Sequence, residues 1–138
     1  MAKERSQNLD RQPGVRTKLF IADETIGLGK INLLALVGEV GSISEAARLM
    51  GMSYRRAWFL LDSMRSGFDS PLFTTERGGA GKGGAKLTEL GVELIQRYRA
   101  HAALVHNQSA DILAWMRTVQ ADPKHHPIDK TEIGRAHV

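Results

Sequence analysis

Gly41-Ser42-Ile43-Ser44-Glu45-Ala46-Ala47, followed closely by Met52-Ser53-Tyr54-Arg55-Arg56-Ala57-Trp58, decides the reading of this chain. Ser42 offers a hydroxyl to the unpaired amides of a helix start. Glu45 stands three residues on, the spacing of a capping box in which each side chain satisfies the other's free amide. A helix is therefore predicted from about Ile43. Met50-Gly51-Met52 interrupts it, and Ser53 caps the next helix, which runs to about Arg65 or Ser66. Two helices joined by three or four residues that include a glycine form a helix-turn-helix.

Within the second of these helices Ala57, Trp58, Leu61 and Met64 share one face, with Tyr54 beside them, and are read as core. Arg55, Arg56, Phe59, Asp62 and Ser63 lie off that face. Adjacent arginines on a helix are ordinarily a solvated basic face. In the first turn of a recognition helix they occupy the part that meets base edges and phosphates.

Upstream, residues 1–15 mix charges, amides, a proline and a glycine without periodicity and read as a flexible arm. Residues 18–22 predict one short strand, and Gly27 and Gly29 break the chain after it. From 30 to 40, Ile31, Leu33, Leu34, Leu36, Val37 and Val40 recur at helical spacing, and Gly41 ends that helix. Downstream, 72–77 and 85–87 predict a β-hairpin whose glycine-rich tip, 78–84, carries Lys82 between Arg77 and Lys86. Glycines let such a tip approach a phosphate backbone, and the cations supply attraction. Between Arg48 and Lys86 seven basic residues stand against three acidic ones, an excess equal to the net +4 of the whole chain.

Thr88 can cap a last helix, which the absence of proline allows to reach about Gln120, roughly 33 residues or about 50 Å. Gly91, Leu94, Tyr98, His101, Val105, Gln108, Ile112 and Trp115 step along it by three and four, an imperfect heptad seam. A stripe that outruns its own domain needs a partner, and a second copy of the chain is expected to supply it.

Composition sets the outer limits. The 138 residues are 42% hydrophobic and 25% charged, which fits one compact domain with extensions. The absence of cysteine excludes a disulfide framework, a cysteine nucleophile, an iron–sulfur cluster and a thiolate zinc site. No run approaches the 18 or so apolar residues of a membrane span, and no signal-peptide core opens the chain, so a soluble, cytoplasmic protein is expected. Gly81-Lys82 resembles a nucleotide-binding loop, but Glu76 replaces the required earlier glycine and Gly83 the Ser or Thr after the lysine. His101 with His106, and His125 with His126, lack ligand company at metal spacing. Without a nucleophile elbow or a base–nucleophile pair, no enzyme, metal site or cofactor is expected.

The order strand, helix, capped helix-turn-helix, glycine-tipped hairpin and long helix resembles the winged helix-turn-helix of LysR-type regulators. The wording of 41–47, 52–58 and Leu87-Thr88-Glu89-Leu90-Gly91 looks like the amino-terminal DNA-binding domain of ModE-type, molybdate-responsive regulators, over about residues 15–116. The resemblance implies a mainly α fold with a small β-hairpin: a winged helix-turn-helix over 16–87, then a dimerisation helix over 88–120. It implies that Ser53, Tyr54, Arg55 and Arg56 open a recognition helix in the major groove, with Ser42 and Ser44 also on DNA. Arg77, Lys82 and Lys86 would lie on the wing, and Leu94, Tyr98, His101, Val105 and Ile112 in the dimer. The expected partners are double-stranded DNA at a palindromic promoter site and a second copy. The expected role is control of molybdate-transport or molybdoenzyme genes. The alternative is an interaction module that pairs through its long helix with a full-length regulator and reads no DNA.

The family's molybdate-binding domain has no counterpart after Gln120, so molybdate binding is not expected of this chain, and 121–138 reads as a disordered tail. Residues 132–138 can be encoded by the start of a common sequencing adapter. They are read as adapter read-through, with the native gene expected to continue past about Thr131.

Overall fold

The structure, a computed structural model, describes residues 12–76 and 83–122. Residues 16–106 form one compact unit, and the described parts of 12–15 and 107–122 belong to a second. The greater part of the predicted arm, the hairpin tip with Arg77 and Lys82, and the tail from 123 onward lie outside the described residues.

The first unit opens with a hairpin where one strand is predicted. Strand β1 (Leu19–Ile21) pairs antiparallel with β2 (Glu24–Ile26), Leu19 opposite Ile26. Ala22 and Asp23 turn the chain with φ of 47° and 68°, the left-handed pair that a two-residue hairpin loop needs. Neither is glycine, so the usual signature of such a turn is missing from the sequence.

Helix α1 (Leu28–Val40) starts before the apolar stripe, because the extended Gly27 already accepts a bond from the Ile31 amide at 3.1 Å; Gly29 is inside the helix, not a break. Its Ile31, Leu33, Leu34 and Val37 are fully buried. The Gly41 amide closes it on the Val37 carbonyl at 2.8 Å.

Helix α2 (Ile43–Leu49) begins where Ser42 Oγ accepts from the Glu45 amide at 3.1 Å. The reciprocal half of the predicted capping box is not formed. The Glu45 carboxylate instead takes the Arg48 guanidinium one turn on, with Arg48 Nε donating at 3.3 Å and Nη2 making the closer contact. Gly51, at φ 70°, makes the left-handed corner that follows α2, and the Met52 amide bonds back to the Ala47 carbonyl at 3.0 Å. Helix α3 (Tyr54–Arg65) then starts with Ser53 Oγ accepting from the Arg56 amide at 3.0 Å.

Helix α3 buries Ala57, Leu61 and Met64. Trp58, read as core from its spacing, is 40% exposed and meets the Phe73 ring edge-on at 5.8 Å. One residue is about 100° around a helix, so the neighbour of Ala57 stands at the rim of the buried face and not inside it.

Strands β3 (Phe73–Glu76) and β4 (Gly84–Leu87) form the predicted second hairpin, with Phe73 opposite Leu87 and Thr75 opposite Ala85. The Ala85 amide donates to the Gly41 carbonyl at 2.9 Å, fastening this hairpin to the corner between α1 and α2. Helix α4 (Glu89–Gln108) is capped by Thr88, whose Oγ1 accepts from the Gly91 amide at 3.1 Å. Tyr98 of α4 is buried and donates its hydroxyl to the Thr17 carbonyl at 2.7 Å.

The helix predicted to run unbroken to about Gln120 is interrupted at Ser109 (φ −92°, ψ 5°), after which α5 (Ala110–Val119) begins. Asn107 and Ser109 are weak helix formers whose side chains compete for local backbone groups. The result is a mainly α fold with two small antiparallel hairpins. No described helix is long and apolar enough to cross a membrane.

Candidate nucleic-acid interface

The start of α3 is built to display side chains. Its cap is satisfied by Ser53, its next turn is anchored by buried Ala57 and Leu61, and Tyr54, Arg55 and Arg56 are left exposed between these points. Neither Arg55 nor Arg56 forms an ion pair among the described residues; the pairs there are Arg48 with Glu45 and Arg97 with Glu93. Two uncompensated guanidiniums, held directly beside buried Ala57, can bind phosphate or fork onto a guanine edge.

A groove of ≈ 470 Å³ runs beside this turn, between the α2 start and the second hairpin. Ser42, Ser44 and Tyr54 line it, so three of the predicted contact residues come together. Trp58 and Thr75 line it as well, and neither is among the contact residues expected from the sequence. The four-residue step from Tyr54 to Trp58 is the signal that could have found the tryptophan. Thr75 carries no such signal.

Lys86 is exposed but elsewhere. Strand alternation puts it on the opposite face of β4 from the buried Ala85, and it borders a second groove with Gly38, Val40 and Arg99. Arg48 is engaged: its hydrogen bonds to Glu45 hold that carboxyl below its usual range and raise the guanidinium.

The residues predicted to dimerise divide. Tyr98 is inside the core of the 16–106 unit and Leu94 is packed against it, so their stripe is covered by the chain itself. His101 is exposed, Val105 half-buried, and Ile112 of the second unit 58% exposed. Among the described residues no group of three or more His, Cys, Asp or Glu could hold a metal ion.

No family model matches the chain. Individual proteins do. It is 43% identical over 75 residues to the molybdenum-pterin-binding protein MopB of Rhodobacter capsulatus, which is 54% of this chain and 28% of that protein. It is 42% identical over 69 residues to the transcriptional regulator ModE of Yersinia pestis, covering 50% and 26%. Against the DNA-binding transcriptional dual regulator ModE of Escherichia coli it is 36% identical over 85 residues, covering 62% and 32%. The match thus takes in less than a third of each relative's length. To that extent the resemblance to ModE-type regulators, carried by the wording of 41–47, 52–58 and 87–91, is borne out.

Proposed function

We propose that this chain is a sequence-specific DNA-binding transcriptional regulator of ModE type, acting as a homodimer on a palindromic promoter site. The observation that carries the reading is the exposed, capped first turn of α3, with Arg55 and Arg56 free of carboxylate partners among the described residues. In this reading α3 enters the major groove with Ser53, Tyr54, Arg55 and Arg56, while Ser42 and Ser44 approach the backbone from the far wall of the groove. Arg77 and Lys82 follow the backbone from the wing, and Lys86 adds to the field. The relatives named for DNA binding and molybdenum transport support a role at molybdate-transport or molybdoenzyme genes. Regulation is by occupancy: the dimer covers a promoter and blocks or recruits polymerase.

The test is fluorescence anisotropy of the chain on a labelled promoter from upstream of a molybdate-transport operon and on a scrambled duplex, across a salt series. Binding to the promoter at least tenfold tighter supports a reader. Equal, weak, salt-sensitive binding to both duplexes rejects it and favours a partner module, which the exposed Ile112, Trp115 and Val119 of α5 would suit.

A further inference from the structure

Phe59 is a large apolar side chain left 66% exposed on α3. It follows Arg55 by four residues and Arg56 by three, so helical spacing puts it on the strip that continues from Arg55, away from buried Ala57, Leu61 and Met64. One turn of helix advances about 5.4 Å. That is less than two steps of a duplex rising about 3.4 Å per base pair. Whatever the tilt of α3 in the groove, the Phe59 ring therefore lies within two base-pair steps of a pair met by Arg55. Asp62 follows on the same strip with a negative charge, and the stretch able to face DNA ends there.

The edges of base pairs in the major groove are almost wholly polar, with one apolar group among them, the C5 methyl of thymine. A phenyl ring beside two guanidiniums cannot bind phosphate and gains nothing from a guanine edge. We propose that Phe59 is a specificity-determining residue whose ring packs on a thymine methyl group and so selects an A·T pair next to the position read by an arginine. This deepens the DNA-reading function proposed above and rests on it.

The experiment first selects, from a randomised pool of duplexes, the sequence the full chain enriches. Each thymine of that duplex is then replaced singly by deoxyuridine, which removes the methyl and keeps every hydrogen-bonding group. The expected result for the unmodified chain is a loss of about fourfold in affinity at one thymine of each half-site, the worth of one methyl-sized apolar contact. Phe59→Ala removes the ring from both half-sites, so it should weaken binding to the thymine duplex by about the square of that factor, roughly fifteenfold, and abolish the deoxyuridine loss at that position of each half-site alone. If no thymine responds to deoxyuridine, or if the Phe59→Ala protein keeps the same response, the assignment is overturned. The deoxyuridine scan on the unmodified chain needs no variant to fold. A pool that yields no enriched sequence removes the DNA-reading function and this residue's role with it. Enrichment without methyl sensitivity removes only the role of Phe59.

Discussion

Gly91 lies so close to Leu72 that a β-carbon at position 91 would overlap the Leu72 carbonyl oxygen. Thr88 secures the same junction from the helix side. Its hydroxyl donates to the Pro71 carbonyl at 2.7 Å, and its amide to the Leu72 carbonyl at 3.0 Å. Leu87-Thr88-Glu89-Leu90-Gly91, one of the stretches that resembles ModE-type proteins, is thus a device for docking α4 onto the start of β3.

Gly91→Ala tests that docking. Alanine would improve helix propensity by about 1 kcal/mol. The obstacle is backbone and cannot rotate away, so the cost sits in the upper half of the about 1–3 kcal/mol that overpacking carries, or above it. A net destabilisation of about 1–2 kcal/mol is expected as a lower urea midpoint with an unchanged slope. An unchanged midpoint would mean that the α4 entry shifts freely.

The first hairpin makes the opposite prediction. Ala22 is exposed and held at φ 47°, where a β-carbon costs roughly 1–2 kcal/mol. Glycine removes that strain but adds about 0.4–1 kcal/mol of unfolded-chain entropy. The strain is the larger effect, so Ala22→Gly should raise stability by about 0.5 kcal/mol, seen as a small rise in Tm. A fall would show that the turn relaxes out of the left-handed region in solution.

What could be read from the sequence divides along physical lines. The boundaries of α2 and α3 were legible because serine caps and glycine corners act locally, and Ser42, Ser53 and Gly51 do what their positions imply. The hairpin at β1 and β2 was hidden because Ala22 and Asp23 adopt a glycine-like conformation without being glycine. Tyr98 and Leu94 show the limit of periodicity. Spacing reveals which residues share a face but not what covers it, and here the unit's own core covers these two. Of the candidate interface, Ser42, Ser44 and Tyr54 were legible as neighbours. Trp58 was hidden in its apparent core role, and the engagement of Arg48 depends on a rotamer choice by Glu45.

The arginines and Lys86 should separate reading from attraction. Arg55→Ala and Arg56→Ala are exposed changes, expected to leave stability within about 0.5 kcal/mol. Whichever arginine forks onto a base should cost about 1–3 kcal/mol on the selected site and relax preference at one position. Lys86→Ala, outside the α3 groove, should weaken binding to all duplexes alike and only modestly, lowering the salt slope by less than the ~1 per subunit of a direct phosphate contact. Anisotropy titrations over 50–200 mM salt distinguish the two patterns, and an intact preference in the double arginine variant would reject both arginines as base readers.

Tyr98→Phe isolates a buried hydrogen bond. The ring still fills its place, but the Thr17 carbonyl loses its donor at 2.7 Å, a change worth about 1–1.5 kcal/mol. If the proposed dimer uses only the remaining exposed positions, this variant should lower the unfolding midpoint and leave the mass in solution unchanged. A dissociated Tyr98→Phe protein would mean that the tyrosine lies at the subunit contact after all.

Ile112→Lys asks the complementary question, because Ile112 is 58% exposed and its replacement disturbs no core. In a dimer that covers this residue, the substitution puts a charge into an apolar contact twice, once from each subunit. Both lysines lose water without gaining a partner, so the dimer should dissociate at micromolar concentration while helicity and the unfolding midpoint of the 16–106 unit hold. Sedimentation equilibrium at two concentrations reads the outcome directly. A two-fold reader bridges two half-sites, so the same variant should also lose affinity for the palindrome while keeping that of a single half-site. Loss of mass without loss of palindrome affinity would show that the dimer forms elsewhere on DNA, and no change in either would remove Ile112 from the contact.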